Sequence, residues 1–138
     1  YPFKSKYFEV EPVGPRLLLG ANVAPYTANW SKLRSWKIKQ TDDLDKYLLS
    51  KGDVILAMDR PWIPSGLKLM RMTSESLPCL LVQRVAKLVG NEGVTNDYLY
   101  YILSTSNFTE YIKRVQTGST VPHISGRQIL AYQLPLPP

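Results

Sequence analysis

Apolar residues come in short runs, broken by Gly and Pro, until about residue 90; beyond that they fall at helical spacing. Leu17, Leu18 and Leu19 form the first run, and Gly20, Asn22 and Pro25 break it, which predicts a short strand entering a loop. Trp36 and Ile38 alternate with Lys37 and Lys39, a period of two that predicts a short strand with a basic outer face. In DDLDKYLLSKG (42–52), Asp42 or Asp43 starts one or two helical turns. Leu44, Tyr47 and Leu48 form their apolar side, and Gly52 ends them. GDVILAM (52–58) is the strongest strand: Val54, Ile55 and Leu56 run without a polar break, which implies burial on both faces. DRPWIPSG (59–66) reads as a loop because Pro61, Pro64 and Gly66 oppose regular structure. Leu67 to Met72 alternates apolar with basic residues, a strand with one wet face, and Pro78 to Val89 reads as one further strand.

The period then changes. Asn96 is placed to cap a helix over DYLYYILST, and Asn107 to cap a second over FTEYIKRV, with Glu110 completing a capping-box-like pair. Tyr98, Leu99, Ile102 and Leu103, then Phe108, Ile112 and Val115, mark core-facing stripes. Gly118 permits a left-handed helix end. Ser125 and Gln128 have the spacing of a capping box, and Ile124 and Ile129 that of a hydrophobic staple. In AYQLPLPP the alternation of Tyr132, Leu134 and Leu136 predicts a last strand, kept to a sheet edge by its prolines. Strands followed by helices give an α+β class. The expectation is one globular domain over 1–138, with a twisted, mainly antiparallel sheet and a few short helices packed on it.

Composition narrows the function. With 138 residues the chain is long enough for one domain with a real core. It holds no apolar stretch of membrane-spanning length and opens without a signal-like run, so no membrane partner and a cytoplasmic location are expected. Cys79 stands alone inside LPCLLV, which excludes an internal disulfide and reads as a small buried hydrophobe. The net charge is +6, and residues 1–72 hold twelve Lys/Arg against seven Asp/Glu. Such a balance favours a polyanionic partner.

Catalytic signatures are missing. No Gly-x-Ser-x-Gly elbow, no phosphate-binding Gly-x-x-x-x-Gly-Lys loop and no Gly-x-Gly-x-x-Gly occur, and His123 is the only histidine. The acids Asp42, Asp43 and Asp45 are explained by a helix start, and no metal site is expected. Cations interleaved with aromatics are the stronger signal. Lys32, Arg34, Lys37 and Lys39 accompany Trp30 and Trp36 with no acid among them, and Arg60, Trp62, Lys68 and Arg71 repeat the theme. Cations bind phosphates, and arginine reads guanine through two hydrogen bonds. A solvated strand face with tryptophans packed beneath is the bland alternative.

KGDVILAM (51–58), LLVQRVAKLV (80–89), NDYLYYILSTSNFTEYI (96–112) and GSTVPHISGRQILAYQLPLPP (118–138) resemble, in order and spacing, the target recognition domain of type I restriction-modification specificity subunits. The likeness runs from about residue 47 to the end; the first 46 residues match loosely, as expected where such domains read different DNA. It implies sequence-specific binding of double-stranded DNA at one half of a split site, with no catalytic residues and no cofactor in this chain. Partner subunits, a methyltransferase (modification) pair and a restriction subunit, would bind S-adenosylmethionine, ATP and Mg. The family's long spacer helix would begin just after Pro138, so this is read as a domain cut from a longer subunit or a naturally short one. Expected DNA contacts are Lys32, Arg34, Lys37, Lys39, Arg60, Trp62, Lys68 and Arg71. Ser119 and Thr120 are added as phosphate donors in an otherwise architectural loop. Three rivals stand beside this reading: a recognition domain of a fused single-chain restriction/methyltransferase enzyme, a small hydrolase using Ser119 or Ser125 with His123, and a non-nucleic-acid interaction module.

Overall fold

A computed structural model describes residues 2–40 and 42–134. Its strands are β1 (Arg16–Leu18), β2 (Val23–Ala24), β3 (Thr27–Ala28), β4 (Val54–Ala57), β5 (Trp62–Ile63), β6 (Gly66–Leu67), β7 (Leu69–Arg71), β8 (Cys79–Leu81) and β9 (Val85–Leu88). Three α-helices follow: α1 (Asn96–Leu103), α2 (Ser106–Val115) and α3 (Gly126–Leu130). The fold is α+β. Its sheet is divided into four pieces: the antiparallel order β7–β4–β9, the antiparallel pairs β2–β3 and β5–β6, and a parallel pair β1–β8.

β4 is the organising strand. All four of its residues are buried, and alternate side chains leave opposite faces of a strand. Val54 and Leu56 enter the cluster of Leu99, Leu103, Phe108, Ile112 and Ile124 under the helices. Ile55 and Ala57 enter the opposite cluster, with Leu18, Val23, Met70, Met72 and Cys79. Burial of both faces explains the unbroken apolar run. A third cluster joins Phe3, Leu17, Trp36, Leu44, Leu80 and Val82. Burial pushes the Cys79 thiol up to about 12, so it remains an apolar core group.

Several expectations are corrected. The run 78–89 is two strands: β8 pairs with β1, β9 pairs with β4, and the corner at Arg84 has φ +67°. Residues 36–39 form no strand. Trp36 is buried with its ring edge against Phe3 at 5.0 Å, while Ile38 is 53% exposed, so tertiary packing overrides the alternation. The turn after Asp42 is a three-residue 3-10 helix, Asp45–Tyr47, which leaves Leu48 exposed and buries Leu49. Residues 62–67, most of them in the expected loop, form the tight hairpin β5–β6, with Trp62 opposite Leu67.

The helix starts lie one or two residues earlier than expected. Thr95, not Asn96, caps α1 by accepting from the Tyr98 amide at 3.1 Å, and Thr105 precedes α2. Asn107 instead accepts from the Tyr132 hydroxyl, and Glu110 pairs with Lys113. α2 ends at Val115, so Gly118, with φ +97°, shapes the next loop and not the helix end. The Ser125–Gln128 capping box is present in both directions, and Ile124 and Ile129 share one apolar cluster. Ser125→Ala is expected to cost about 1 kcal/mol, read as a lowered melting temperature. Tyr132 to Leu134 form no strand, and the remainder of that expected edge strand lies outside the described residues.

Candidate nucleic-acid interface

Past β4 the chain runs Met58–Asp59–Arg60 between two other segments. The Met58 amide donates to the Arg84 carbonyl at 3.0 Å, and the Ile124 amide donates to the Met58 carbonyl at 2.9 Å. The Arg60 amide donates to the Pro122 carbonyl at 2.7 Å. Three stretches distant in sequence therefore meet at one end of β4: 58–60, the Arg84 corner and the loop 117–124.

That loop is closed by reciprocal backbone bonds between Thr117 and His123, at 2.9 and 2.8 Å. A side chain on Gly118 would strike the Val121 carbonyl oxygen at 2.6 Å, so the tight turn requires glycine. His123 Nε2 lies 3.3 Å from Thr117 Oγ1, and its Nδ1 lies 3.0 Å from the Val121 carbonyl. Ser125 Oγ accepts from the Gln128 amide. Histidine and serine are thus engaged in loop and helix geometry, which argues against the hydrolase reading. Ser119 and Thr120 lie exposed on the loop.

Arg60 is exposed beside this loop, and Lys68 is half-buried next to it. Burial first, then the Arg60 charge, lowers the Lys68 pKa, with Asp59 opposing. A positive charge held at such a cost is relieved by a bound anion. Trp62 offers its ring to Lys113, whose Nζ lies 4.4 Å from the centroid. Arg60, Trp62, Lys68, Ser119 and Thr120 lie on the segments that meet here, together with Arg84 and with Lys113 against the Trp62 ring, two cations that the composition of their stretches does not mark. Lys113 falls on the polar side of an amphipathic helix. Arg84 lies in an apolar run broken only at Gln83–Arg84 and Lys87, and no composition rule flags a left-handed arginine.

The other expected residues lie at separate stations. Lys37 and Lys39 line a cleft with Lys4, Tyr7, Glu9 and Asp42, and Lys6 and Lys39 approach the Tyr7 ring at 5.1 and 5.5 Å. This cleft adjoins the Arg84 corner, because the Gln83 side chain exchanges hydrogen bonds of 3.2 and 2.8 Å with the Phe3 backbone. Lys32 and Arg34 belong to the loop around Trp30. Trp30 donates to Ser76 at 2.9 Å and packs on Arg16 at 5.4 Å, and Arg34 donates to its neighbour's carbonyl. Arg71 stands opposite Val54, at the far end of β4, paired with Asp97 and set over Tyr100 at 5.6 Å. With Tyr26 and Trp30 it lines a groove. Among the described residues no cluster of His, Cys, Asp or Glu could hold a metal ion, and no helix is long and apolar enough to cross a membrane.

A family model described as the type I restriction modification DNA specificity domain matches residues 17–138. The type I restriction enzyme EcoAI specificity subunit of Escherichia coli is 36% identical over 140 residues, covering 100% of this chain and 23% of that protein. The MjaVIII specificity subunit of Methanocaldococcus jannaschii is 30% identical over 100 residues, covering 70% of this chain and 24% of that protein. The chain thus spans about a quarter of the length of these relatives. The likeness reaches further toward the N-terminus than the motifs alone indicated.

Proposed function

The chain belongs to the type I restriction modification DNA specificity domain family, and from that premise we propose that it is a single recognition domain that binds double-stranded DNA sequence-specifically. It directs methyltransferase (modification) and restriction subunits to one half of a split site, in the cytoplasm. The family is one of DNA specificity, not of catalysis. S-adenosylmethionine, ATP and Mg are bound by the partner subunits and not by this chain. The relatives carry the names of specificity subunits, which favours a separate subunit over a fused single-chain enzyme.

The observation that carries this reading is the convergence of Arg60, Lys68, Lys113 and Arg84 beside the exposed Ser119–Thr120 loop. Lys68 and Lys113 are point charges suited to phosphates. Ser119 and Thr120 offer hydroxyl donors to the same backbone. Trp62 supplies the platform that positions Lys113. The Lys37–Lys39 cleft extends the phosphate track, and Lys32 and Arg34 form a separate contact. Arg71, at the far end of β4, forms a further separate contact by releasing Asp97, an exposed pair worth little in water.

Duplex binding by the full-length gene product, measured against salt, tests this. Lys68→Gln and Lys113→Gln should each weaken all sequences about equally and reduce the slope of log affinity against log salt by about 1. Thr120→Val should weaken all sequences without changing preference among them. Binding that is absent or indifferent to salt would favour the interaction-module reading.

A further inference from the structure

The β2–β3 hairpin turns on two residues, Pro25 and Tyr26, with Ala24 opposite Thr27. Tyr26 holds φ +67°, in the left-handed region. Proline followed by a positive φ is the arrangement of a type II turn, whose second central position favours glycine. A residue with a Cβ is strained there and persists only where its surroundings enforce the conformation. Those surroundings act on the backbone. The Tyr26 amide donates to the Leu69 carbonyl of β7 at 2.8 Å. Pro25 lies so near Gly66 of β6 that a side chain there would meet the proline Cβ at 3.3 Å. Glycine at position 26 would hold the same turn without strain. Backbone geometry accounts for the turn and gives no reason for a tyrosine in it.

The core does not claim the side chain either. Tyr26 is 48% exposed and belongs to none of the three apolar clusters. Among the described residues its ring meets one other, Tyr100, edge-on at 6.5 Å. The Arg71 guanidinium lies over that same Tyr100 ring at 5.6 Å, and Tyr26 and Arg71 line one groove with Thr27, Trp30 and Thr73. An exposed ring and a cation thus stand side by side. Their anchor, Leu69, falls between Lys68 and Arg71 in the chain, both read above as backbone contacts. A DNA strand offers the matching pair, an anionic phosphate beside a less polar sugar and base edge.

We infer that Tyr26 is a DNA-contacting residue: it lays its ring on a sugar and base edge of the duplex while Arg71 takes the adjoining phosphate. The inference rests on the DNA-recognition reading above and adds to it a non-ionic contact that the cation pattern does not indicate.

The test is duplex affinity of the full-length gene product as a function of salt, with melting temperatures, for wild type, Tyr26→Gly, Tyr26→Asn and Tyr26→Phe. Glycine and asparagine both tolerate the left-handed region, so both variants are expected to keep their melting temperature. Each should weaken binding by roughly 5- to 30-fold, the span of about 1–2 kcal/mol for truncating an aromatic anchor. The slope of log affinity against log salt should not change, because no charge is removed. Tyr26→Phe keeps the ring and should bind like wild type. Unchanged affinity in the glycine and asparagine variants overturns the inference. So does a melting temperature that falls along with affinity, which would make the ring a structural prop. A slope reduced by about 1 would mean that the ring only holds Arg71 in place, and Tyr26→Phe as weak as Tyr26→Gly would assign the contact to the hydroxyl; either result overturns the ring contact. A wild-type protein that does not bind duplex, or binds it without regard to salt, removes the DNA reading itself, an outcome distinct from all of these.

Discussion

Exchanging residues 1–138 for another recognition domain of the same family is expected to change one half of a split methylation motif and to leave the other half untouched. On the proposed function the expected effect is all-or-none, because one domain's loops then read one half of the site. Here the loops are separable from what holds them. β4 and its two apolar clusters form the frame, and the surface residues at its end make few core contacts: Arg60 is exposed, Lys68 half-buried, and Ser119 and Thr120 lie on a loop closed by its own backbone. A domain with the same frame and different loops can therefore replace this one without disturbing its surroundings. The measurement is to express the parent gene with its neighbouring methyltransferase gene in a host lacking adenine methylation, then map modified adenines before and after the exchange. A motif that ignores the swap would place recognition outside this chain. Loss of all methylation by the exchanged protein, with wild type active, would show that the domain is not separable from its surroundings.

What the sequence announced and what it concealed divide along physical lines. Short-range rules worked where local energies dominate. The unbroken Val54–Ala57 run became the central strand, and the Ser125–Gln128 pair became a two-way capping box. The amphipathic stripes of 96–115 became two helices on one apolar cluster. Rules of the same kind failed where a distant residue decides. Trp36 left its alternating pattern because Phe3 lies against it, and the 78–89 run divides because β8 and β9 pair with different strands. The site follows the same division. Arg60 to Lys68 are near one another in sequence, so composition alone marks them as a candidate group. Lys113 and Arg84 reach the surface only through the meeting of 58–60, 84 and 117–124, a tertiary event. Arg71 was expected beside Arg60 because it is close in sequence, yet strand β7 carries it to the far end of β4.

That meeting depends on the helix face, and Phe108→Ala should show how strongly. Phe108 is fully buried between Val54 and Leu56 of β4 and the faces of α1 and α3. Its ring meets Tyr132 at 4.8 Å and Tyr111 at 6.3 Å. Truncation to Ala removes most of a ring from a packed site that can collapse only partly, at a cost of about 3–5 kcal/mol. Domains of this size are stable by roughly 5–15 kcal/mol, so the loss is a large share of the whole. Amide exchange in β4, read in the full-length protein, should accelerate by roughly 100- to 5,000-fold where exchange proceeds through global opening. Leu130, 87% exposed, is the control: Leu130→Ala should change stability by no more than about 0.5 kcal/mol. The consequence extends to recognition, because α2 bears both Phe108 and Lys113 and leads into the His123 loop. Loosening α2 frees Lys113 from Trp62 and Pro122 from the Arg60 amide, so DNA affinity should fall together with β4 protection. Rapid β4 exchange with DNA affinity unchanged would mean that the basic surface is assembled without the helices, contrary to the packing described.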